Sequence, residues 1–350
     1  MRTIFSTDTY QLKALHKTAL LRGLLVLLGL VLGLGSFIEV AARLFFIPIS
    51  FPSLGSDNFY FDYKIYALES QVRRNGQLDC LVLGSSVANS DLDPAVIETA
   101  YQNETGQKIH CFNIGIPALT AENAVPIAEA IVRRYQPDVV LFILIPRDLM
   151  DHEYTVKQLE RNPWVNYHRG NITPENWLLV NTYTLRYLNT WQYWQTLANR
   201  DKMGYETEPI TAGGYSRIAG LNQPYPRNWL LENDENLQNV WVSGKTYTDL
   251  DRLTALENLG TKFIFIEAPA FSIINLDRQD PSIQHYEQDY MANLEAYLGA
   301  KNIPLWRTLE IGKQIPEAGW FDWLHLNTVG SPILSQWVAE KLAENPELFK

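Results

Sequence analysis

Five short runs of the chain are apolar almost without a break: 79–84 ("DCLVLG"), 108–114 ("KIHCFNI"), 138–145 ("DVVLFILI"), 262–267 ("KFIFIE") and, more weakly, 303–306 ("IPLW"). Hydrophobicity that is continuous rather than alternating belongs to strands buried on both faces. Between these runs apolar residues recur at helical spacing over about 92–103, 120–135, 245–259 and 284–300. A further helix is expected over 64–74, before the first run, and a last one over 330–343. Strands alternating with helices predict a three-layer α/β/α fold around a central parallel sheet of about five strands, of flavodoxin-like plan. In such a sheet the functional site lies outside the carboxyl ends of the strands.

Two stretches break the alternation. From Gly23 to Ile38 no residue carries a charge, and basic residues Arg2, Lys13, Lys17 and Arg22 precede the run. That pattern predicts an uncleaved membrane anchor over 18–44, with residues 1–17 in the cytoplasm and the remainder outside. A cleaved signal peptide competes with it, because Val40-Ala41-Ala42 resembles a cleavage site; the long basic lead and Glu39 argue against cleavage. Residues 45–77 read as a membrane-proximal linker and lead-in helix. The second stretch, 152–244, shows no strand–helix repeat yet holds Trp164, Trp177, Trp191, Trp194, Trp229 and Trp241. It is expected to be an insertion capping the strand ends, with one or two tryptophans lining the cleft and the rest in its own small core. The α/β domain proper is then 78–151 plus 245–350.

Composition narrows the functional classes. The 350 residues are 46% hydrophobic and 19% charged, as in a globular chain with a large core. A net charge of -10 argues against nucleic acid, whose phosphates need clustered Lys and Arg. Cys80 and Cys111 have no metal-ligand spacing and read as buried core thiols, level with each other if the first two strands are neighbours. No metal and no cofactor is implied.

The candidate chemistry gathers at strand ends. The first strand runs into Gly84-Ser85-Ser86, where a serine hydroxyl can stand above the sheet and following backbone amides can face an oxyanion. A serine nucleophile needs a histidine in reach and a carboxylate to orient it. "WFDWLHLNTVG", just before the last helix, carries Asp322 and His325 three residues apart. The second strand ends in Asn113 and Gly115, and the third in Pro146, Arg147 and Asp148. Read without that company, Ser86 is a turn or helix-capping hydroxyl, His325 a structural histidine, Asn113 a turn residue, and Asp148 and Asp151 capping carboxylates.

A serine after the first strand, Asn-x-Gly after the second, a polar turn after the third and a C-terminal Asp-x-x-His together resemble the SGNH (GDSL-type) hydrolase superfamily, over roughly 79–150 and 262–343. Gly-Ser-Ser in place of Gly-Asp-Ser, behind an anchor, is similar to the membrane-anchored branch that includes the D-alanyl transfer protein of teichoic acid modification. The serine-first, Asp-x-x-His-last order also resembles that branch and the esterases, unlike the alginate acetylation proteins. The resemblance implies Ser86 as nucleophile, Gly115 with Asn113 at the oxyanion side, His325 as general base and Asp322 as its orienting acid. It also implies a departure: Arg147 stands where the family supplies an oxyanion-hole asparagine. The activity so implied is a serine esterase or O-acyltransferase acting on acyl esters of an envelope or exported polysaccharide, a polytopic membrane protein being the expected acyl donor for transfer. Two rivals are a catalytically impaired glycan-binding or assembly protein, and a metal enzyme using Asp148, Asp151 and His152.

Overall fold

The computed structural model describes residues 8–44, 52–56, 58–150, 159–190, 210–220, 240–241, 244–275 and 279–349. β1 (Cys80–Gly84), β2 (Cys111–Asn113), β3 (Val139–Leu144), β4 (Lys262–Glu267) and β5 (Leu305–Trp306) form one parallel sheet in the order β2-β1-β3-β4-β5. Each strand lies within the apolar run that predicted it. The central three are wholly buried apart from Lys262 at the start of β4, as continuous hydrophobicity requires. Cys80 pairs in register with Cys111, and both are buried free thiols.

The helices are α1 (Asp8–Leu44), α2 (Phe59–Asn75), α3 (Ser86–Asp91), α4 (Pro94–Thr105), α5 (Ala121–Tyr135), α6 (Pro163–His168), α7 (Pro174–Asn181), α8 (Tyr183–Asn189), α9 (Lys245–Thr254), α10 (Ala292–Ala300) and α11 (Gly330–Ala343), with shorter turns between them. From β1 the chain steps one way to β2, then back past β1 to β3. With right-handed crossovers that reversal puts α4 and α5 on opposite faces of the sheet. The packing agrees: α4 lies against α11, and α5 against α9. The sheet therefore has its topological switch point between β1 and β3, where the crossovers part and leave a crevice at the carboxyl ends.

Gly84 makes the turn out of β1. Its φ is +148°, and a Cβ there would stand 2.3 Å from the Ile143 carbonyl oxygen of β3. Only glycine lets the strand pass that close and then turn at once into α3, whose first residue is Ser86. The outer edge of β2 is closed by side chains and loop rather than by another strand. Glu98 accepts from the Cys111 amide at 2.7 Å, Gln71 donates to its carbonyl at 2.8 Å, and the Asn113 amide donates to Gly213 at 2.8 Å.

Two connections pack closely on the domain. Within the expected linker, Ser53 and Leu54 are buried, and the Ser53 amide donates to the Arg186 carbonyl at 3.0 Å. The second is the described part of 152–244. α6 to α8 pack at the flank against α5, α2 and α1, through a fully buried Trp164 that donates to Glu69 at 3.0 Å, while only 210–220 runs beside β2 and α3. Trp191, Trp194 and Trp229 lie outside the described residues. Of the rest, Trp164 is core, Trp241 packs on Tyr247 and Tyr290, and Trp177 faces out.

Gly84→Ala is expected to lower unfolding stability by at least about 2 kcal/mol, since a methyl group must displace the β3 backbone. Urea denaturation followed by circular dichroism measures it; a loss under about 0.5 kcal/mol contradicts the close-approach account.

Candidate active site

Ser86, partly exposed at the start of α3, sits at the switch point. His325 reaches it from the loop between Trp320 and Leu326, which are joined by an antiparallel bridge. The Nε2 of His325 lies 2.8 Å from Ser86 Oγ, and its Nδ1 lies 2.7 Å from Asp322 Oδ2. An ionised carboxylate can only accept, so Nδ1 carries the proton; Nε2 of the neutral ring is then free to accept from the Ser86 hydroxyl. Asp322 is itself oriented, with Oδ1 accepting from the amides of Leu324 at 2.8 Å and His325 at 2.7 Å.

The electrostatics of the pair follow from these contacts. Burial pushes the Asp322 carboxyl up, but the His325 ring and the two amides outweigh it and hold the group below its ordinary range. Burial pushes the imidazole down. The hydrogen bond and charge of Asp322, aided by Asp91, outweigh that and raise His325 above 6.5, while Arg147 opposes them.

Asp91 is a further carboxyl of the site, within "SDLDP", a segment rich in capping residues. Asp93 does cap α4, accepting from the Ala95 amide at 3.0 Å. Asp91 does something else: Oδ1 accepts from the Leu326 amide at 3.0 Å and from Ser90 Oγ at 2.8 Å, fixing the backbone next to His325. Burial raises its pKa to about 7, against the favourable charge of His325.

The second-strand residues correct the expectation placed on them. The Gly115 amide, expected to face an oxyanion, donates to Asn113 Oδ1 at 2.8 Å. Gly115 is glycine for packing: a Cβ would meet the Asn89 amide nitrogen at 2.4 Å. Asn113 is wholly buried and its Nδ2 donates to Ala88 and Leu92 carbonyls at 2.5 and 2.8 Å, so it clamps α3 to β2 and has no capacity left for substrate. On the same loop the exposed Ala118 holds φ +64°, an uncommon angle for a residue with a Cβ.

Arg147 and Asp148 form the short turn after β3. Asp148 is buried and accepts from Ser85 Oγ at 2.9 Å and from the Ile145 amide at 3.2 Å, tying the ends of β1 and β3 together. Burial raises its pKa to about 6. It is thus a strut of the crevice, and the Asp151 and His152 once grouped with it as metal ligands lie outside the described residues. The Arg147 side chain is 35% exposed and lies 3.9 Å from the Asp148 carboxylate.

Lys64 has no counterpart in the sequence reading. It lies completely buried on α2, with Nζ 2.5 Å from the Gly115 carbonyl and 3.5 Å from Asn113 Oδ1, and burial drives its pKa well below 10.5. A signal was present: Phe61, Lys64, Ile65 and Leu68 share one face of a helix at i, i+3, i+4, i+7, so the lysine stands within an apolar stripe.

No protein-family model matches the chain, and no curated protein matches it. Solved structures similar to it include LAE5, an alpha/beta hydrolase enzyme from the metagenome of Lake Arreo, Spain (12% identity, 77% of this chain and 96% of that one, TM-score 0.40). Others are the acetylxylan esterase Axe2 of Geobacillus stearothermophilus (14%, 78% and 96%, TM-score 0.35) and a lipase/acylhydrolase from Enterococcus faecalis (13%, 76% and 96%, TM-score 0.33). At such identities and scores a likeness says nothing about activity.

Because the folded state favours neutral Lys64, the unfolded chain binds the extra proton between the lowered folded pKa and 10.5. Stability from this group therefore rises with pH across that window and falls as pH drops through the folded value. The unfolding free energy of wild type, measured by urea denaturation at a series of pH values, is expected to rise across that window by up to about 1.4 kcal/mol per pH unit more than that of Lys64→Met. Parallel profiles for the two proteins contradict it.

Proposed function

We propose that this protein is a membrane-anchored serine esterase or O-acyltransferase of the SGNH type. The observation that carries the proposal is the relay Ser86–His325–Asp322, with contacts of 2.8 and 2.7 Å on the two nitrogens of one imidazole. Ser86 Oγ attacks an ester carbonyl while His325 Nε2 takes the hydroxyl proton, and the imidazolium so formed is stabilised by the carboxylate on Nδ1. The carbonyl oxygen bears the charge of the tetrahedral intermediate. His325 then returns the proton to the leaving alkoxide, and Ser86 keeps the acyl group as an ester. Water, or a sugar hydroxyl, next attacks that ester with His325 again as base, giving an acid or an acylated glycan.

With the Gly115 amide already engaged, oxyanion stabilisation falls to other donors: the Ser86 amide at the open start of α3, and Arg147 beside His325. The guanidinium also suits an anionic group on the substrate. The apolar run Ala19–Leu44, long enough to cross a bilayer, favours an acylated envelope polysaccharide or its lipid-linked precursor as substrate. Transfer to a sugar in addition requires an acyl donor, supplied by a polytopic membrane partner. The rival reading, an impaired glycan-binding protein, has its best support in Arg147; the oriented His325 and its ionised Asp322 weigh against it, since a site released from catalysis has no need of them.

The test is hydrolysis of p-nitrophenyl acetate by the detergent-solubilised full chain. Ser86→Ala and His325→Ala are expected to lower kcat/KM by about a thousandfold or more. In wild type kcat/KM should fall as pH drops through a value above 6.5, because only neutral His325 accepts the serine proton; in Asp322→Asn that limb moves down. Unchanged rates in the folded variants contradict the proposal.

A further inference from the structure

Apart from α1 itself, the large apolar side chains that stand exposed among the described residues are Ile172, Trp177, Leu178, Leu185, Leu188 and Val329. Five of these six fall within 172–188, on and just before the α7–α8 pair. Scattered singly they would need no explanation, but exposed apolar groups concentrated in one hairpin mark an interaction surface.

The hairpin is bolted in place. Arg186 of α8 is buried and grips Glu69 of α2 through its two terminal guanidinium nitrogens, at 2.5 and 3.0 Å, and it also donates to the Leu179 and Val180 carbonyls. The opposite side of the junction meets α1. Glu39 accepts from the amides of Tyr183 and Thr184 at 2.8 and 3.0 Å and from Thr184 Oγ1 at 2.9 Å, capping the first turn of α8. Arg43 donates to the Asn181 carbonyl at 2.6 Å and lies over the Tyr183 ring.

The height of that junction follows from α1. A hydrocarbon core of about 30 Å takes about 20 helical residues, which from Ala19 reaches Ile38. Glu39 and Arg43 are then at headgroup level, and so is the α7–α8 junction they hold. Trp177 and Leu188 each lie four residues from the junction residues Asn181 and Thr184, about 6 Å along their helices. A tryptophan and aliphatic side chains at that level suit the membrane interface.

We infer that the α7–α8 hairpin docks into the surface of the bilayer that α1 crosses, Trp177, Leu178, Leu185 and Leu188 entering the headgroup–acyl boundary. The inference rests on the membrane reading of α1 given above. The domain then has two attachments, one spanning and one interfacial, which fix its attitude to the membrane instead of leaving it on a swivelling stalk.

Depth-dependent quenching in proteoliposomes tests it on the full chain. A cysteine-reactive nitrobenzoxadiazole probe is placed by Trp177→Cys or Leu188→Cys; Cys80 and Cys111 are buried and leave the labelling to the new site. Leu30→Cys on α1 reports the anchor and Glu310→Cys, at an exposed side chain, reports water. In phosphatidylcholine–phosphatidylglycerol vesicles the 177 and 188 probes should emit blue-shifted from the 310 probe and lose intensity with shallow doxyl lipids, while the 30 probe is quenched by deep ones. Quenching at 30 with water-like emission at 177 and 188 overturns the docking and leaves the anchor intact. Blue-shifted but unquenched 177 and 188 probes mean that protein covers the hairpin, which also overturns it. An unquenched 30 probe removes the anchor and the docking together.

Discussion

The reversal of strand order between β1 and β3 is the constraint on which the rest of the molecule depends. It opens a crevice at the carboxyl ends, and the close passage of Gly84 against the Ile143 carbonyl delivers Ser86 there at the start of a helix. Several buried polar contacts gather around that point. Asp148 ties Ser85 to the end of β3, Asn113 clamps α3 to β2, and Asp91 holds the backbone beside His325. These groups remove freedom from the elements that carry Ser86 and His325, and contacts of 2.8 and 2.7 Å on the two nitrogens of one imidazole depend on that rigidity.

Much of the architecture was legible because buried parallel strands carry an unambiguous signal. The runs at 79–84, 138–145 and 262–267 each contain the strand they predicted, and the last helix spans Gly330–Ala343 as the periodicity required. The pairing of Ser86 with the Asp322–His325 turn was anticipated from residue type and order, though the two ends are 239 residues apart. What no local pattern revealed was where hydrogen-bonding capacity is used up. Gly115 and Asn113 have the residue types of an oxyanion loop, yet their donors are consumed inside the fold. Asp91 and Asp93 look alike in "SDLDP" and both are buried, and only tertiary packing separates the one that holds the His325 loop from the one that caps α4.

The flanking helices escaped for a related reason. α6, α7 and α8 are short, and their stability comes from long-range contacts such as Arg186 with Glu69 rather than from an amphipathic repeat. Glu39 and Arg43 tie the end of α1 to the same helices, so α1 and the crevice belong to one framework. Lys64 illustrates the cost of such packing. An amine with no carboxylate contact among the described residues is kept beneath the β2 loop, where it bonds the Gly115 carbonyl and stays neutral more readily than a lysine in water.

The central claim is that Ser86 is an activated nucleophile. Mass spectrometry of the full chain after treatment with a fluorophosphonate measures this directly, because the reagent bonds only to a hydroxyl whose proton has a base to go to. The account predicts one adduct per chain, mapped to the peptide containing Ser86 and absent when His325 is replaced by alanine. A folded wild-type protein that forms no adduct, or forms one elsewhere, would contradict it.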